Sequence, residues 1–386
     1  MTTLPTFPAE FPNVRGGETG FRVARRNTGQ WWWINPRDQA QVVCGVHGLD
    51  ASVGMLPADA QVGQWGVNLL LPPVVDGFCG TGLPYLRDMQ LSRCGAPAIH
   101  EEGVYLPDVF DPVWAETIEQ VFNGVVATPM LAGWVGDSEL RWGPAFSANA
   151  DSPATRPGLL QVCLSLDPAY RAYHSAWEFV LARHGGELEH VAQAWGVELS
   201  GRGAVRQLTR DEHVFISSAY GEDLTAFTIE FSQRYFNLVR DASRRVNAGC
   251  LLFSPLMNAS TPTAVVSAAA AASDVILTTV PGLVAIEVPQ IRVDYNWARS
   301  LPAAAALDGE SVLEATLRTG RQELTTILVR PEIIGYAWAP FRRGDLAIDD
   351  PFGVGLVDEN GRENPVHTHP IAAINSAAAL IRSAAS

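Results

Sequence analysis

The sequence contains no lysine, so all of its fixed positive charge is arginine. It has 27 basic and 41 acidic side chains among 386 residues, which gives a formal net charge of −14. Binding to nucleic acid or to an anionic membrane surface requires clusters of cations that neutralise phosphates. Because no such cluster is visible, we expect neither a nucleic acid nor a membrane as a partner.

Other features are scarce as well. The five cysteines are scattered, with no CxxC pair, and an odd number of unpaired cysteines favours reduced thiols over a disulfide framework or a zinc site. The first 20 residues lack a charged start followed by an apolar core, so we expect no secretory signal. There is also no uncharged apolar run of the ~18 residues that a membrane span needs. These absences lead us to expect a cytoplasmic protein.

Short apolar runs are abundant, in keeping with a hydrophobic content of 47%. Parallel strands that are covered on both faces are typically continuous apolar runs, and alternation of such strands with helices indicates a barrel. We therefore predict a (β/α)8 TIM barrel in a single domain, 1–386. The eight predicted strands are 41–48, 65–72, 83–91, 130–137, 249–256, 274–280, 283–289 and 333–340.

The segments outside the strands complete this prediction. Residues 1–38 are expected to form N-terminal strands with a β-hairpin, and residues 144–225 a helical excursion after the fourth barrel strand. Helices are predicted to start at Asp111-Pro112 and Asp167-Pro168, since Asp is a good N-cap and Pro suits the first turn. One connection conflicts with the scheme: only Pro281-Gly282 separates the sixth and seventh predicted strands, whereas a parallel crossover normally needs a dozen residues or more.

The active sites of such barrels lie at the carboxyl ends of the strands. Two glutamates, Glu139 and Glu287, stand in otherwise apolar runs near the ends of the fourth and seventh predicted strands, and a buried carboxylate must be paired or functional. Two carboxylates facing each other could protonate a glycosidic oxygen and attack the anomeric carbon or activate a water. Further candidates for sugar contacts at strand ends are His47, Asn68, Arg87, Ser138, Trp142, Tyr295, Trp338 and Asp345.

Several motifs together resemble one family. The segment "GWVGDSELRWG" (133–143) is similar to "G-Y-F-x-D-N-E-x-x-W-G" of the agarase and bacterial β-galactosidase branch of the clan A glycoside hydrolases. Five more segments resemble motifs of that branch and occur along the chain in the same order as in the branch. They are "FRVARRNTGQWWWINPRDQ" (21–39), "PDVFDP" (107–112), "LARHGGELEHVAQAWG" (181–196), "IIGYAWAPFRRGD" (333–345) and "GVGLVDENGR" (353–362).

The resemblance implies a retaining double displacement on a β-galactoside or related oligosaccharide. It places Glu139 as the acid/base, Glu287 as the nucleophile and Trp338 as the floor of the sugar subsite. It implies no metal and no organic cofactor, and it leaves a homo-oligomer open. The chain departs from the branch at Ser138, where the branch has asparagine, and in the sixth strand, where Thr278 and Thr279 occupy the stretch that carries a tyrosine in many clan members; Tyr295 could take that place.

These departures keep two other classes open. One is a non-catalytic carbohydrate-binding barrel, a pseudo-glycosidase, which the serine at position 138 favours. The other is a metal-dependent hydrolase, because alternate histidines such as His367 and His369 can hold one ion. Since Pro365 and Pro370 flank this pair, a loop or the start of a helix is the simpler interpretation.

Overall fold

The structure is a computed structural model. It describes residues 4–49, 59–74, 82–101, 103–126, 128–144, 156–280, 282–283, 287–297, 307, 309–342 and 353–385, with the backbone alone at 48–49, 59–61 and 73–74. Within these ranges, no helix has the length and apolar character needed to cross a bilayer.

A small antiparallel sheet precedes the barrel, as predicted for the N-terminal segment. Its strands, in spatial order, are β1 (Asn13–Arg15), β2 (Arg22–Arg25), β3 (Trp31–Ile34) and β4 (Ala40–Gln41).

Eight parallel strands close the barrel, and the predicted (β/α)8 fold is confirmed. Each strand bonds to the next one along the chain, and the eighth bonds to the first. The strands are β5 (Val43–Leu49), β6 (Leu69–Val74), β7 (Tyr85–Asp88), β10 (Leu131–Val135), β12 (Leu251–Met257), β13 (Val275–Thr278), β14 (Gln290–Tyr295) and β15 (Ile333–Trp338).

Seven of the eight predicted strands overlap an observed one, and the seventh is wrong. The apolar run 283–289 does not form the strand; β14 begins at Gln290. This strand alternates, with Ile291 and Val293 in the barrel interior and polar residues between them, so it lacks the continuous apolar pattern used to find the others. The connection from β13 is the eleven residues 279–289, which removes the conflict with a two-residue link.

The N-terminal sheet closes the amino end of the barrel. The amide of Gly17 donates to the carbonyl of Gly249, just before β12, at 2.8 Å. The amide of Trp31 donates to the carbonyl of Pro331, just before β15, at 2.9 Å. Trp33 lies in the same hydrophobic cluster as the inward-facing barrel residues. Within the part of the chain that the structure describes, the opposite, carboxyl end of the barrel is the open one.

The described residues include ten α-helices around the barrel. They are α1 (Asp59–Gln64), α2 (Pro112–Asn123), α3 (Leu159–Ser165), α4 (Arg171–Arg183), α5 (Leu188–Trp195), α6 (Gly203–Arg210), α7 (Ser218–Asn247), α8 (Thr263–Ala272), α9 (Val312–Leu328) and α10 (Pro365–Ala384). Asp111 caps α2 as predicted, because its carboxylate accepts from the Val113 amide at 2.8 Å. The predicted excursion after the fourth barrel strand contains α3 to α6 and the start of α7.

A third sheet flanks the carboxyl ends of β7 and β10. It consists of β8 (Ala98–Glu101), β9 (Val104–Pro107) and β11 (Arg141–Trp142), with β9 in the middle. Since β11 directly follows the Asp137–Glu139 segment, this sheet becomes one wall of the candidate site.

Candidate functional site

The segment after β10 carries a buried carboxylate, Asp137. One of its oxygens accepts from the Ser92 amide at 2.8 Å, and the other accepts from the Tyr235 hydroxyl at 2.7 Å. Only 3% of Asp137 is exposed. Burial raises the pKa of Asp137 to about 6, and the neighbouring charge of Asp88 acts in the same direction, although the hydrogen bonds oppose the shift. Asp137 therefore faces the protein and anchors the loop that presents the next two residues.

Ser138 makes a hydrogen bond to a second carboxylate, that of Asp88. Its hydroxyl donates to Oδ2 of Asp88 at 2.6 Å, and Asp88 is the last residue of β7. Desolvation raises the pKa of Asp88, in spite of hydrogen bonds from Ser138 and Gln90. The carbonyl of Ser138 also accepts from the Leu256 amide of β12 at 3.0 Å. The loop is thus held from both neighbouring strands.

Glu139 differs from these two acids because its side chain is exposed. It lines a cleft of about 520 Å³ at the carboxyl end of the barrel. Within the described residues, no ion pair involves Glu139 or Arg141. A solvent-accessible carboxylate on an anchored loop can exchange a proton with a bound molecule. The residues lining the cleft are Asp88, Gln90, Ser92, Arg93, His100, Tyr105, Asp137, Ser138, Glu139 and Arg141.

Another carboxylate stands at the carboxyl end of the seventh barrel strand. Asp294 has a positive φ of 53°, and the pairing of β14 with β15 shifts register between Arg292 and Tyr295. Such irregularities redirect side chains next to active sites. Oδ1 of Asp294 lies 3.0 Å from Nδ1 of His47, near the end of the first strand, and both side chains are partly exposed, at 20% and 25%. The sequence pattern does not indicate Asp294, because the predicted seventh strand ends at residue 289 and points to Glu287 instead.

Glu287 lies elsewhere, and its predicted position after the seventh strand is wrong. It precedes β14 by three residues, so it is at the amino end of the barrel. Its carboxylate pairs with Arg25 of the N-terminal sheet at 2.8 Å and is 73% exposed. The carbonyl of Glu287 accepts from Arg15 at 3.2 Å. These contacts attach the loop to the closed end of the barrel, away from Glu139.

Asn68 is also misplaced, because β6 starts one residue after it rather than ending near it. Its side-chain oxygen accepts from the Cys44 amide at 2.8 Å, and its side-chain nitrogen donates to the Val42 carbonyl at 2.8 Å. Asn68 therefore joins the first two strands at their amino ends and does not line the mouth of the barrel.

Three predicted aromatic contacts are in the core. Trp338 is 1% exposed and donates to the Val354 carbonyl at 3.1 Å. Tyr295 is fully buried and donates to the Gly320 carbonyl at 2.5 Å, which directs it toward α9 and away from the barrel axis. Trp142 is 5% exposed and stacks on Phe236 of α7. In this structure none of the three offers an open ring face to a sugar.

The remaining predicted residues fall into three groups. In β7, Tyr85 belongs to the outer layer and Leu86 to the interior, so alternation places Arg87 on the outer face. Asp345 lies outside the described residues. His367 and His369 are in the first two turns of α10, and among the described residues no group of three or more histidine, cysteine or acidic side chains could hold a metal.

The fold and the carboxylates at its open end define the class: a (β/α)8 barrel that carries acidic side chains at the carboxyl ends of its third, fourth and seventh strands. No family model and no curated protein matches the sequence at a significant level.

Solved structures do show a likeness to this chain. It is similar to an exo-β-agarase, with a TM-score of 0.69 and 14% identity over 98% of this chain and 68% of that one. It is also similar to the agarase AgWH50C (TM-score 0.68, 15% identity, 96% of this chain and 66% of that one). A further match is BpGH50 (TM-score 0.62, 14% identity, 96% and 84%). The predicted resemblance to agarases is confirmed at the level of the fold, and the chain spans about two thirds of the length of the first two.

Proposed function

We propose that the protein is a glycoside hydrolase that cleaves a β-glycosidic bond with two carboxylates at the open end of its barrel. Glu139 is the general acid/base and Asp294 is the second carboxylate. The observation that carries the proposal is the placement of Asp294: a bulge with a positive φ turns it at the end of the seventh strand, three strands along the barrel from the strand that carries Glu139. The fold shared with two agarases supports a β-galactoside or related oligosaccharide as substrate.

The chemistry we propose is a retaining double displacement. Asp294 attacks the anomeric carbon while Glu139 donates its proton to the glycosidic oxygen, and the leaving sugar departs. Glu139 then takes a proton from a water that attacks the glycosyl–Asp294 ester, which releases the sugar with its original configuration. His47 would hold the Asp294 carboxylate in position, and the Ser138–Asp88 and Asp137–Tyr235 hydrogen bonds would hold the Glu139 loop.

A set of three matched variants tests this assignment. We expect Asp294→Asn and Glu139→Gln each to lower kcat by about 10³-fold or more on nitrophenyl β-galactoside or agaro-oligosaccharides. Glu287→Gln is the control, and we expect it to keep kcat near that of the parent protein because it lies at the closed end. Full activity in Asp294→Asn, or loss in Glu287→Gln alone, would contradict the assignment.

A second measurement separates the enzyme from the carbohydrate-binding barrel. Asp294→Ala leaves space beside the anomeric carbon, so we expect azide to take the place of the nucleophile, to restore turnover in a single displacement and to yield a glycosyl azide of inverted configuration. If the parent protein hydrolyses no glycoside but an agaro-oligosaccharide raises its melting temperature, the non-catalytic binding protein is the correct function.

A further inference from the structure

One wall of the cleft around Glu139 is formed by the sheet of β8, β9 and β11. His100, Tyr105 and Arg141 each come from a different strand of this sheet, and Arg93 extends beside them from the segment after β7. Arg93, His100 and Arg141 are all exposed. The wall therefore presents two guanidinium groups and an imidazole to whatever occupies the cleft.

The two guanidinium groups of this wall make no ion pair within the described residues. Arg93 donates to the side-chain oxygen of Gln90 at 3.2 Å and is hydrogen-bonded to Tyr105, two neutral partners that orient its guanidinium without removing the charge. Gln90 itself has a positive φ of 50°. Arg141 makes no ion pair within the described residues, although Glu139 is only two residues away.

The carboxylates Asp88 and Asp137 of the same cleft attract Arg93 electrostatically, but within the described residues they form no ion pair with it. Asp137 and Asp88 direct their oxygens to internal donors, namely Ser92 and Tyr235 for the first and Ser138 and Gln90 for the second. Glu139 must carry a proton when it acts as the acid, so it is neutral in the competent state. A bound molecule then meets positive charge on the sheet wall.

The net charge of the whole chain determines what an anionic substrate would need from this wall. With a net charge of −14, the protein repels anions at long range, and a substrate with negative substituents needs local cations to bind. Guanidinium groups are well suited to this, because their donors match the oxygens of carboxylates and sulfates in pairs. A neutral sugar has no need for two exposed arginines beside the acid.

We propose that the sheet wall, through Arg93, Arg141 and His100, binds a leaving-group sugar unit that carries an anionic substituent, a sulfate ester or a carboxylate. This rests on the proposed function, because it is Glu139 as general acid that places the leaving group in this cleft. The substrate class becomes an acidic or sulfated galactan oligosaccharide rather than a neutral one.

Calorimetry on the Glu139→Gln protein tests the proposal, since this variant keeps the shape of the site and should not consume the ligand. The probes are agarotetraose, a 6-O-sulfated tetrasaccharide of the same backbone, and a galactan tetrasaccharide that ends in galacturonate. We expect one or both anionic probes to bind about tenfold more tightly than the neutral one at low salt, with the preference shrinking at high salt. The probe that shows the larger preference identifies the anion.

Charge variants then locate the preference. In the Glu139→Gln protein, adding Arg141→Glu should make the affinities for the anionic and neutral probes equal. Arg141→Lys should keep part of the preference for the anionic probes, and Arg321→Glu on the outer helix α9 should leave that preference unchanged. Equal affinities for the three probes, or an equal loss for all three with Arg141→Glu, would overturn the proposal. Hydrolysis of the neutral probe by the parent protein without any anionic preference would overturn this inference alone. An Arg141-dependent preference without hydrolysis would support the anionic site and overturn only the enzymatic function.

Discussion

His47 and Asp294 meet at the open end of the barrel with 3.0 Å between Nδ1 and Oδ1, although β15 lies between the strands that carry them. The contact therefore spans the interior of the barrel instead of following a ladder of neighbouring strands. It is possible because the bulge in β14 turns Asp294 out of the regular alternation. The irregular backbone of β14 is therefore what brings Asp294 within reach of His47.

We expect the replacement of His47 to lower kcat more than it changes KM. A hydrogen bond to a charged group contributes about 1.5–3 kcal/mol, which corresponds to roughly 10–100-fold in rate if it acts on the reacting carboxylate. His47→Leu should show the larger loss, and His47→Gln, which keeps an N–H donor, the smaller one. Steady-state kinetics with nitrophenyl β-galactoside measures both. Equal kcat values in the parent protein and His47→Leu would show that the contact has no role in the reaction.

Asp137 gives a prediction about stability and pH. Its pKa is about 6 in the folded protein against an ordinary value of 3.8, mainly because of burial. Between these pH values Asp137 is protonated in the folded state and ionised in the unfolded state. The stability that comes from burying the neutral carboxyl is therefore fully present below about pH 4 and is lost as the pH rises through about 6. The shift corresponds to about 3 kcal/mol.

We therefore expect Asp137→Asn to become more stable relative to the parent protein as the pH rises from about 4 to about 7, by up to about 3 kcal/mol. Asparagine fits the same space and has no charge to desolvate. Urea unfolding at the two pH values measures the difference. The mutation of an exposed acid, Asp241→Asn, is the control. Parallel pH profiles for the parent protein and Asp137→Asn would show that Asp137 does not titrate in this range.

The apolar pattern of the sequence predicted the barrel, and it also located Glu139 relative to a barrel strand. Continuous apolar runs mark strands that are buried on both faces, and "GWVGDSELRWG" places Glu139 four residues beyond the end of one of them. Asp294 was not selected because its strand alternates polar and apolar residues, so a more apolar neighbouring run was taken as the strand. Because of this shift, Glu287, the nucleophile that the resemblance implies, lies at the closed end of the barrel.

Other errors came from properties that a linear pattern does not contain. Asn68 stands beside an apolar run in the same way as a residue at the end of a strand, and only the start of β6 at Leu69 shows that it belongs to the amino end. The burial of Trp338 depends on Val354 and Trp297, which approach it through tertiary packing. The contacts of Arg93 and Tyr105 with the cleft likewise depend on how the third sheet docks beside β10.

The closed end of the barrel gives a contrasting prediction, in which stability changes and the site does not. The buried guanidinium of Arg382 in α10 donates to the carbonyls of Trp31 at 2.6 Å, Leu328 at 2.6 Å and Pro331 at 3.1 Å. It thereby ties the last helix to the N-terminal sheet and to the turn before β15. Burial lowers the pKa of Arg382 to about 9, although Glu332 opposes this shift, so the charge is retained at neutral pH by the carbonyls around it.

Lysine at position 382 cannot reach the same set of carbonyls, because it has one nitrogen instead of a planar fork. We expect Arg382→Lys to lower the free energy of unfolding by about 3–5 kcal/mol, the cost of leaving a buried polar network incomplete. The control Arg321→Lys, on the exposed face of α9, should change it by less than about 0.5 kcal/mol. Urea unfolding measures the stability, and kcat per folded molecule at low temperature should be the same in both variants. If Arg382→Lys were as stable as the control, the carbonyl cluster would not hold the closed end together; if it lowered kcat instead, the two ends of the barrel would be coupled.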